Sequence, residues 1–241
     1  MYPMPKLLLF LVLKNNKGTE DNRVRRMDYS IQISKLFYER FMNEGDITLI
    51  SPHMAPGLYE AFGTEDFDDL YLKYEADKTI PKKTVPAQDL FFDHLKERAE
   101  TGRIYIMNLD HCNSHSSFKD KVSMSNLCQE ITLPTTPIQD IHDEQGEIAL
   151  CILSAVNVGA LNDLGELENI CDLSVRALEQ IIDYQDYPVK AAAVSTKKRR
   201  SLGIGYIGLA HYLAKQGYKY NQKGAWESVD RLSEAFQYHL L

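Results

Sequence analysis

Leu7-Leu8-Leu9-Phe10-Leu11-Val12-Leu13 stands between Pro5 and the polar turn Asn15-Asn16-Lys17-Gly18, and the reading of this run decides the class of the fold. Lys6 gives it the outline of an export signal, but polar residues follow at once and no small-residue cleavage pattern is present. Its seven apolar residues also fall far short of the ~20 that a membrane-spanning helix needs. A short apolar run closed by turn residues on both sides is the signature of an interior strand in an α/β sheet, buried on both faces.

Outward from that strand, Ile33, Leu36, Phe37 and Phe41 recur at helical spacing and predict a helix from Asp28 to Asn43, with Asp28 as N-cap and Gly45 beyond its end. Ile47–Ile50 is a short apolar run closed by Ser51-Pro52, and Phe67–Tyr74 and Ala87–Ala99 carry helical periodicity. Arg103–Met107 reads as a strand between Gly102 and Asn108. Met124–Leu133 alternates large and polar residues before Pro134 and reads as extended, and Ile148–Val158 reads as a buried strand. Glu166–Tyr184 is an amphipathic helix with Leu167, Ile170, Ser174, Leu178 and Ile181 on one face. A further helix is expected between Gly205 and Gly217, and a last one from near Ala225, whose Val229, Leu232, Phe236 and Leu240 keep their spacing up to Leu241 as though the element were cut. No repeat or linker divides the chain, so residues 1–241 read as one incomplete α/β segment.

The chain has 241 residues, 44% of them apolar, which suffices to close a core and argues against disorder. Its 34 acidic against 27 basic side chains, a formal charge of -7, argue against a partner held by neutralising nucleic-acid phosphates. Four scattered cysteines do not make a disulfide-stapled secreted fold, so the thiols are expected to be reduced, in an intracellular, cytoplasmic protein with no membrane partner.

Ser125-Asn126-Leu127-Cys128-Gln129-Glu130-Ile131 is the most informative stretch. In an extended chain Asn126, Cys128 and Glu130 project from one face, each ~6.5–7 Å from the next. A carboxylate can take a proton from a hydroxyl, an amide can both donate to and accept from sugar hydroxyls, and a thiol can supply or remove hydrogen. The set suits chemistry on a polyol, while spacing alone is equally met by a solvated strand with an incidental cysteine. Cys151, within Ala149-Leu150-Cys151-Ile152-Leu153, reads as a small buried hydrophobe unless a neighbouring strand brings a second thiol, and Cys171 reads as packing.

Asp110-His111-Cys112-Asn113-Ser114-His115 holds three potential zinc ligands but lacks a second ligand pair, and a hydrogen-bonded turn is the simpler reading. Gly203-Ile204-Gly205-Tyr206-Ile207-Gly208 matches a dinucleotide fingerprint but follows the basic run Lys197–Arg200 instead of a strand. Close helix packing through small residues is the preferred use for the glycines, and a solvated loop for the basic run.

Taken in order, Leu11–Asn16, Asn22–Arg25, Met27–Tyr29, Thr101–Ile106, Asp110–Asn113, Ser125–Cys128, Glu130, Gly146–Cys151, Asp183–Pro188 and Arg199–Gly205 resemble the large catalytic subunit of class I ribonucleotide reductase, with only Met1–Phe10 unlike it. The resemblance implies part of a ten-stranded α/β barrel with a central finger loop. It implies that Cys128 becomes a thiyl radical that takes the ribose 3′ hydrogen, that Glu130 takes the 3′-hydroxyl proton, and that Asn126 holds the hydroxyls. Cys151 matches one of two cysteines that supply reducing equivalents, its partner lying outside this chain. Further implications are a ribonucleoside diphosphate substrate and a separate metal-containing small subunit that supplies the radical, with no metal in this chain. A thioredoxin- or glutaredoxin-like dithiol reductant, ATP or dNTP effectors bound elsewhere, and the remaining large-subunit segments complete the implied set. The alternatives are a non-catalytic truncated remnant of the same subunit and a nicotinamide-dependent oxidoreductase resting on Gly203–Gly208.

Overall fold

A computed structural model describes residues 28–241, so the strand expected over Leu7–Leu13 lies outside the described residues. Packing divides the described residues into two compact units, the first ending at Pro134 and the second spanning Thr135–Leu241.

In the first unit the order is β1 (Tyr29–Ile33), α1 (Lys35–Met42), β2 (Asp46–Ile50), a 3-10 turn (Pro52–Met54), α2 (Leu58–Ala61), α3 (Phe67–Ala76), β3 (Lys82–Pro86), α4 (Ala87–Thr101), β4 (Ile104–Asn108) and α5 (Leu109–Ser114). The helix expected from Asp28 begins later. Residues 29–33 pair in parallel with β4, Tyr29 opposite Ile104 through Ile33 opposite Asn108, and it is Ser34 that caps α1, its Oγ accepting from the Phe37 amide. Helical spacing of Ile33 with Leu36 and Phe37 is shared by a strand end running into a helix, and strand pairing decides the outcome.

β2 and β3 pair antiparallel, with Thr48 opposite Thr84 and their hydroxyls 3.1 Å apart. Tyr71 of α3 reaches under β2: its hydroxyl accepts from the Thr48 amide and donates to the Thr48 carbonyl, both at 2.8 Å. Burial pushes that phenol up to about 12. Around it Leu36, Ile47, Ala55, Leu58, Phe67, Ala87 and Leu90 form the core, extended by the edge-to-face contact of Phe41 with Phe91.

The second unit runs β5 (Ile152–Asn157), two 3-10 turns (Val158–Ala160 and Leu164–Glu166), α6 (Leu167–Tyr184), α7 (Lys190–Arg199), β6 (Leu202–Ile207), α8 (Leu209–Lys215) and α9 (Lys223–Leu240). β5 and β6 pair in parallel from Ile152 opposite Leu202 to Asn157 opposite Ile207. The expected strand Ile148–Val158 is therefore shorter, and half-solvated: Leu153 is 60% exposed. The first two glycines of the run lie in a strand instead of packing helices, and the helix expected after Gly205 begins at Leu209. Gly203 and Gly205 lie inside β6, and only Gly208, at φ +79°, turns the chain into α8. A Cβ on Gly208 would stand 2.3 Å from Asn157 Oδ1, so the turn is filled by the protein itself instead of cradling a pyrophosphate. The dinucleotide reading fails on that geometry.

α6 buries Leu167, Cys171, Leu178 and Ile182, so the inward stripe is turned from the expected one, with Ile181 at its rim. Cys171 is fully buried beside Val156, Leu232 and Phe236. The basic run is not a loop but the end of α7: Lys197 and Lys198 are exposed, while Arg199 is drawn into an ion pair with little exposure. The content is α/β, but among the described residues the strands make three two-stranded ladders and no closed barrel. No helix among them is long and apolar enough to cross a membrane.

His94 of α4 is buried with neither ring nitrogen bonded among the described residues. Burial, and secondarily the Arg98 charge, lower its pKa, so the folded ring is neutral where the unfolded ring, near 6.5, takes a proton. Stability should therefore fall as pH drops below about 6.5 and keep falling until the folded ring itself titrates. Thermal melts between pH 7.5 and 5.5 check this: His94→Leu should flatten the slope and raise the melting temperature at pH 6 by a few degrees. An unchanged slope would contradict it.

Candidate functional site

The loop leaving α5 is built on side-chain to main-chain bonds. Asn113 brackets Val122: its Oδ1 accepts from the Val122 amide at 2.8 Å and its Nδ2 donates to the Val122 carbonyl at 3.0 Å. One carboxamide thus satisfies both main-chain groups of a fully buried residue, as a neighbouring strand would. Gln32 of β1 donates to the Ser123 carbonyl at 2.7 Å. The motif Asp110–His115 is used structurally. Asp110 accepts from the Lys35 amide at the start of α1, Cys112 packs against the Met107, Leu109 and Val122 cluster, and His115 caps α5. Among the described residues no three His, Cys, Asp or Glu side chains are grouped to hold a metal ion.

From Asn126 the chain turns instead of running extended, which corrects the one-face geometry expected for Asn126, Cys128 and Glu130. The Gln129 amide donates to the Asn126 carbonyl at 3.2 Å, and Gln129 adopts φ 64°. Asn126 Oδ1 accepts from the Ile131 amide at 3.0 Å, and Ser125 Oγ donates to the Ile131 carbonyl at 2.6 Å. The cause is local: a short amide side chain offers the main chain a partner within the loop, which competes with a strand ladder. The three residues therefore share one closed loop, with Cys128 in its turn, and all three are exposed. The Asn126 carbonyl oxygen is committed to the loop, while its amide nitrogen has no partner among the described residues. Tyr105 of β4 lies beside Cys128. Its interaction with Cys128, by charge and hydrogen bond, pushes the Tyr105 phenol above its ordinary value.

Cys151 belongs to the second unit, one residue before β5, and is half-buried. Burial pushes its thiol up, so at neutral pH it is held as SH, the form that carries hydrogen. Four residues before it the chain is held by an ion-paired carboxylate. Glu147 is 6% exposed and accepts from Lys198 Nζ at 2.5 Å and Arg199 Nε at 2.6 Å. Burial would raise its carboxyl, but the bonds and charges of Arg199 and Lys198 win and hold it below the usual carboxylate range. The Glu147 amide and carbonyl also pair with Thr136, at 3.0 and 3.1 Å. Arg200, in a left-handed conformation, closes α7 onto Glu179 and Asp183.

Sequence reasoning named Asn126, Cys128, Glu130 and Cys151 but missed Ser125, Asn113 and Gln32 as loop holders, Tyr105 as the neighbour of Cys128, and the Glu147 clamp. The signal for Asn113 lies in the Asp110–His115 motif, as a short amide just before a polar loop.

The loop thus presents a thiol, an amide and a carboxylate, and a second thiol, Cys151, is held protonated in the second unit. The comparisons with known proteins are specific. Residues 5–241 match the family described as "Ribonucleotide reductase, barrel domain", and the chain belongs to that family. It is 56% identical over 236 residues to the ribonucleoside-diphosphate reductase subunit alpha of Haemophilus influenzae, covering 96% of this chain and 31% of that protein. It is 53% identical over 247 residues to ribonucleoside-diphosphate reductase 1 subunit alpha of Escherichia coli, covering 100% of this chain and 32% of the relative. The subunit alpha of phage T4 is 40% identical over 239 residues, or 96% of this chain and 31% of the relative. The chain thus spans about a third of the length of these relatives.

Removing the Asn113 bracket should free the loop. Asn113→Ala leaves two buried main-chain groups of Val122 unbonded, at a cost of about 1–3 kcal/mol. Hydrogen exchange should show the Val122 and Ile131 amides losing protection together, while the Thr48 amide under Tyr71 keeps its own. Retained protection at Val122 would contradict the role given to Asn113.

Proposed function

We propose that this chain is the central part of the catalytic barrel of a ribonucleoside-diphosphate reductase large subunit. In this reading it contributes the radical cysteine, the base and one reducing thiol to an assembled enzyme. The observation that carries the reading is the loop Ser125–Ile131, which holds Cys128 exposed between Asn126 and Glu130, in a chain of the reductase barrel family.

The chemistry follows from what those groups can do. The Cys128 sulfur, as a radical supplied by a separate metal-containing subunit, takes the 3′ hydrogen of the ribose as an atom. Glu130 accepts the proton of the 3′-hydroxyl, which raises electron density at the neighbouring carbon and helps the 2′-hydroxyl leave. That hydroxyl departs with one proton as water. Cys151 and a second thiol outside this chain deliver two electrons and two protons and end as a disulfide. Cys128 then returns its hydrogen to the 3′ carbon and is a radical again. The sum is one ribonucleoside diphosphate and two thiols giving one deoxyribonucleoside diphosphate, one disulfide and one water. The unbonded amide nitrogen of Asn126 suits donation to a substrate hydroxyl. An external dithiol of the thioredoxin or glutaredoxin kind resets the disulfide by exchange.

The open geometry of the strands supports an assembly partner. β1–β4 and β5–β6 are parallel pairs, and parallel strands occur almost only in larger sheets covered on both faces. Leu153 on β5 and Ile207 on β6 are 60% and 57% exposed, an apolar surface suited to further strands and helices of the same subunit.

The test is reconstitution. This chain is mixed with the flanking segments of a large subunit and with a radical-generating small subunit, and deoxyribonucleoside diphosphate formation is measured. Cys128→Ser should lower turnover to background, a loss on the order of 10³-fold or more. Cys151→Ser should abolish sustained turnover with a dithiol reductant. Normal activity of Cys128→Ser would overturn the reading, and an inactive mixture that nevertheless assembles would favour a non-catalytic remnant.

A further inference from the structure

We propose that Gly203 is the positioning residue for the Cys151 thiol, its missing side chain being the slot in which the sulfur lies. The inference rests on the reading of Cys151 as a reducing thiol and deepens it.

Parallel pairing sets Gly203 opposite Leu153, two residues after Cys151. A Cβ built on Gly203 would stand 3.0 Å from Cys151 Sγ and 2.5 Å from Leu153 Cδ2. Ordinary contacts between such atoms fall near ~3.5–4.0 Å, so both neighbours would have to give. They differ in how they can. Leu153 is mostly exposed, and its terminal methyl can swing into solvent. The Cys151 main chain is held on both sides: the Ile148 amide donates to the Ala191 carbonyl and the Ile152 amide to the Ser201 carbonyl, each at 3.2 Å. With its backbone fixed, the sulfur can yield only by turning toward another staggered rotamer. Disulfide formation tolerates little of that, since the dihedral about the sulfurs and the Cβ separation are both narrow. Gly205, two residues on and on the same face of β6, has nothing within 4 Å of its own would-be Cβ. Of these two strand glycines, only Gly203 is required by what lies beside it.

The experiment uses the chain with Cys151 as its sole cysteine, through Cys112→Ser, Cys128→Ser and Cys171→Ala. The aryl disulfide 5,5′-dithiobis(2-nitrobenzoate) is the probe. The Cys151 thiolate attacks one sulfur, forms the mixed disulfide and expels the coloured aryl thiolate, so the rate reports how the sulfur is presented. Gly203→Ala should slow the reaction by on the order of 5-fold, because a methyl group covers the sulfur and turns it aside. Gly205→Ala should react at the parent rate, and adding Leu153→Ala to Gly203→Ala should not restore it. A parent rate in folded Gly203→Ala would overturn the proposal, as would equal slowing by Gly205→Ala or rescue by Leu153→Ala. Should Gly203→Ala fail to fold, Gly203→Ala with Cys151→Ala should regain the parent melting temperature, and failure to regain it would overturn the proposal equally. None of these readouts depends on turnover. A Cys151→Ser enzyme with normal turnover would remove the redox role and leave the slot standing.

Discussion

Two strands that run parallel cannot be joined by a tight turn, and most of this structure follows from that constraint. Each unit pairs the ends of a long crossover. β1 meets β4 only after α1 to α4 and the β2–β3 ladder have intervened, and β5 meets β6 only after α6 and α7. The register so fixed decides what lies beside what. In the first unit it brings Gln32 on β1 within reach of Ser123. In the second it sets the bare backbone of Gly203 beside Cys151. Both placements are consequences of strand pairing.

The two cysteines given chemical roles are held by different physics. Cys128 sits in a loop with little apolar cover, and the loop keeps its shape because Asn113, Gln32, Ser125 and Asn126 pair with main-chain groups that a sheet would otherwise pair. Such a loop is specific in shape while leaving its sulfur exposed. Cys151 is half-buried, flanked by a clamp in which a buried carboxylate answers two cations. A buried pair of this kind contributes little net stability relative to an apolar core, but removing one partner is costly, so it fixes position strongly. The thiol four residues on is kept protonated by burial.

How far the sequence could be read varied with the range of the forces involved. The helices Phe67–Ala76, Ala87–Thr101 and Leu167–Tyr184 were legible because their periodicity is local and strong. The start of α1 and the strand β6 were misread because pairing with strands 75 and 50 residues away in sequence decided them. The identities of the candidate site residues came from the order of the motifs. Their geometry did not, because alternation in Met124–Leu133 looks the same whether the chain runs straight or folds back on an asparagine side chain. Gly203 was visible as one of a set of glycines, yet nothing in the spacing says which of them has a sulfur against it. Lys198 and Arg199 looked like a solvated run because their buried acceptor lies fifty residues earlier in the chain.

The central claim, that the sulfur of Cys128 removes the 3′ hydrogen of a bound ribose, is tested most directly by isotopic competition. The reconstituted enzyme is offered a mixture of nucleoside diphosphate carrying hydrogen and deuterium at the 3′ carbon. The product is analysed at low conversion. The account predicts that the light substrate is reduced preferentially and that the label, where reduced, is found again at the 3′ carbon. Equal consumption of the two forms, with the label appearing at another carbon of the product, would contradict it.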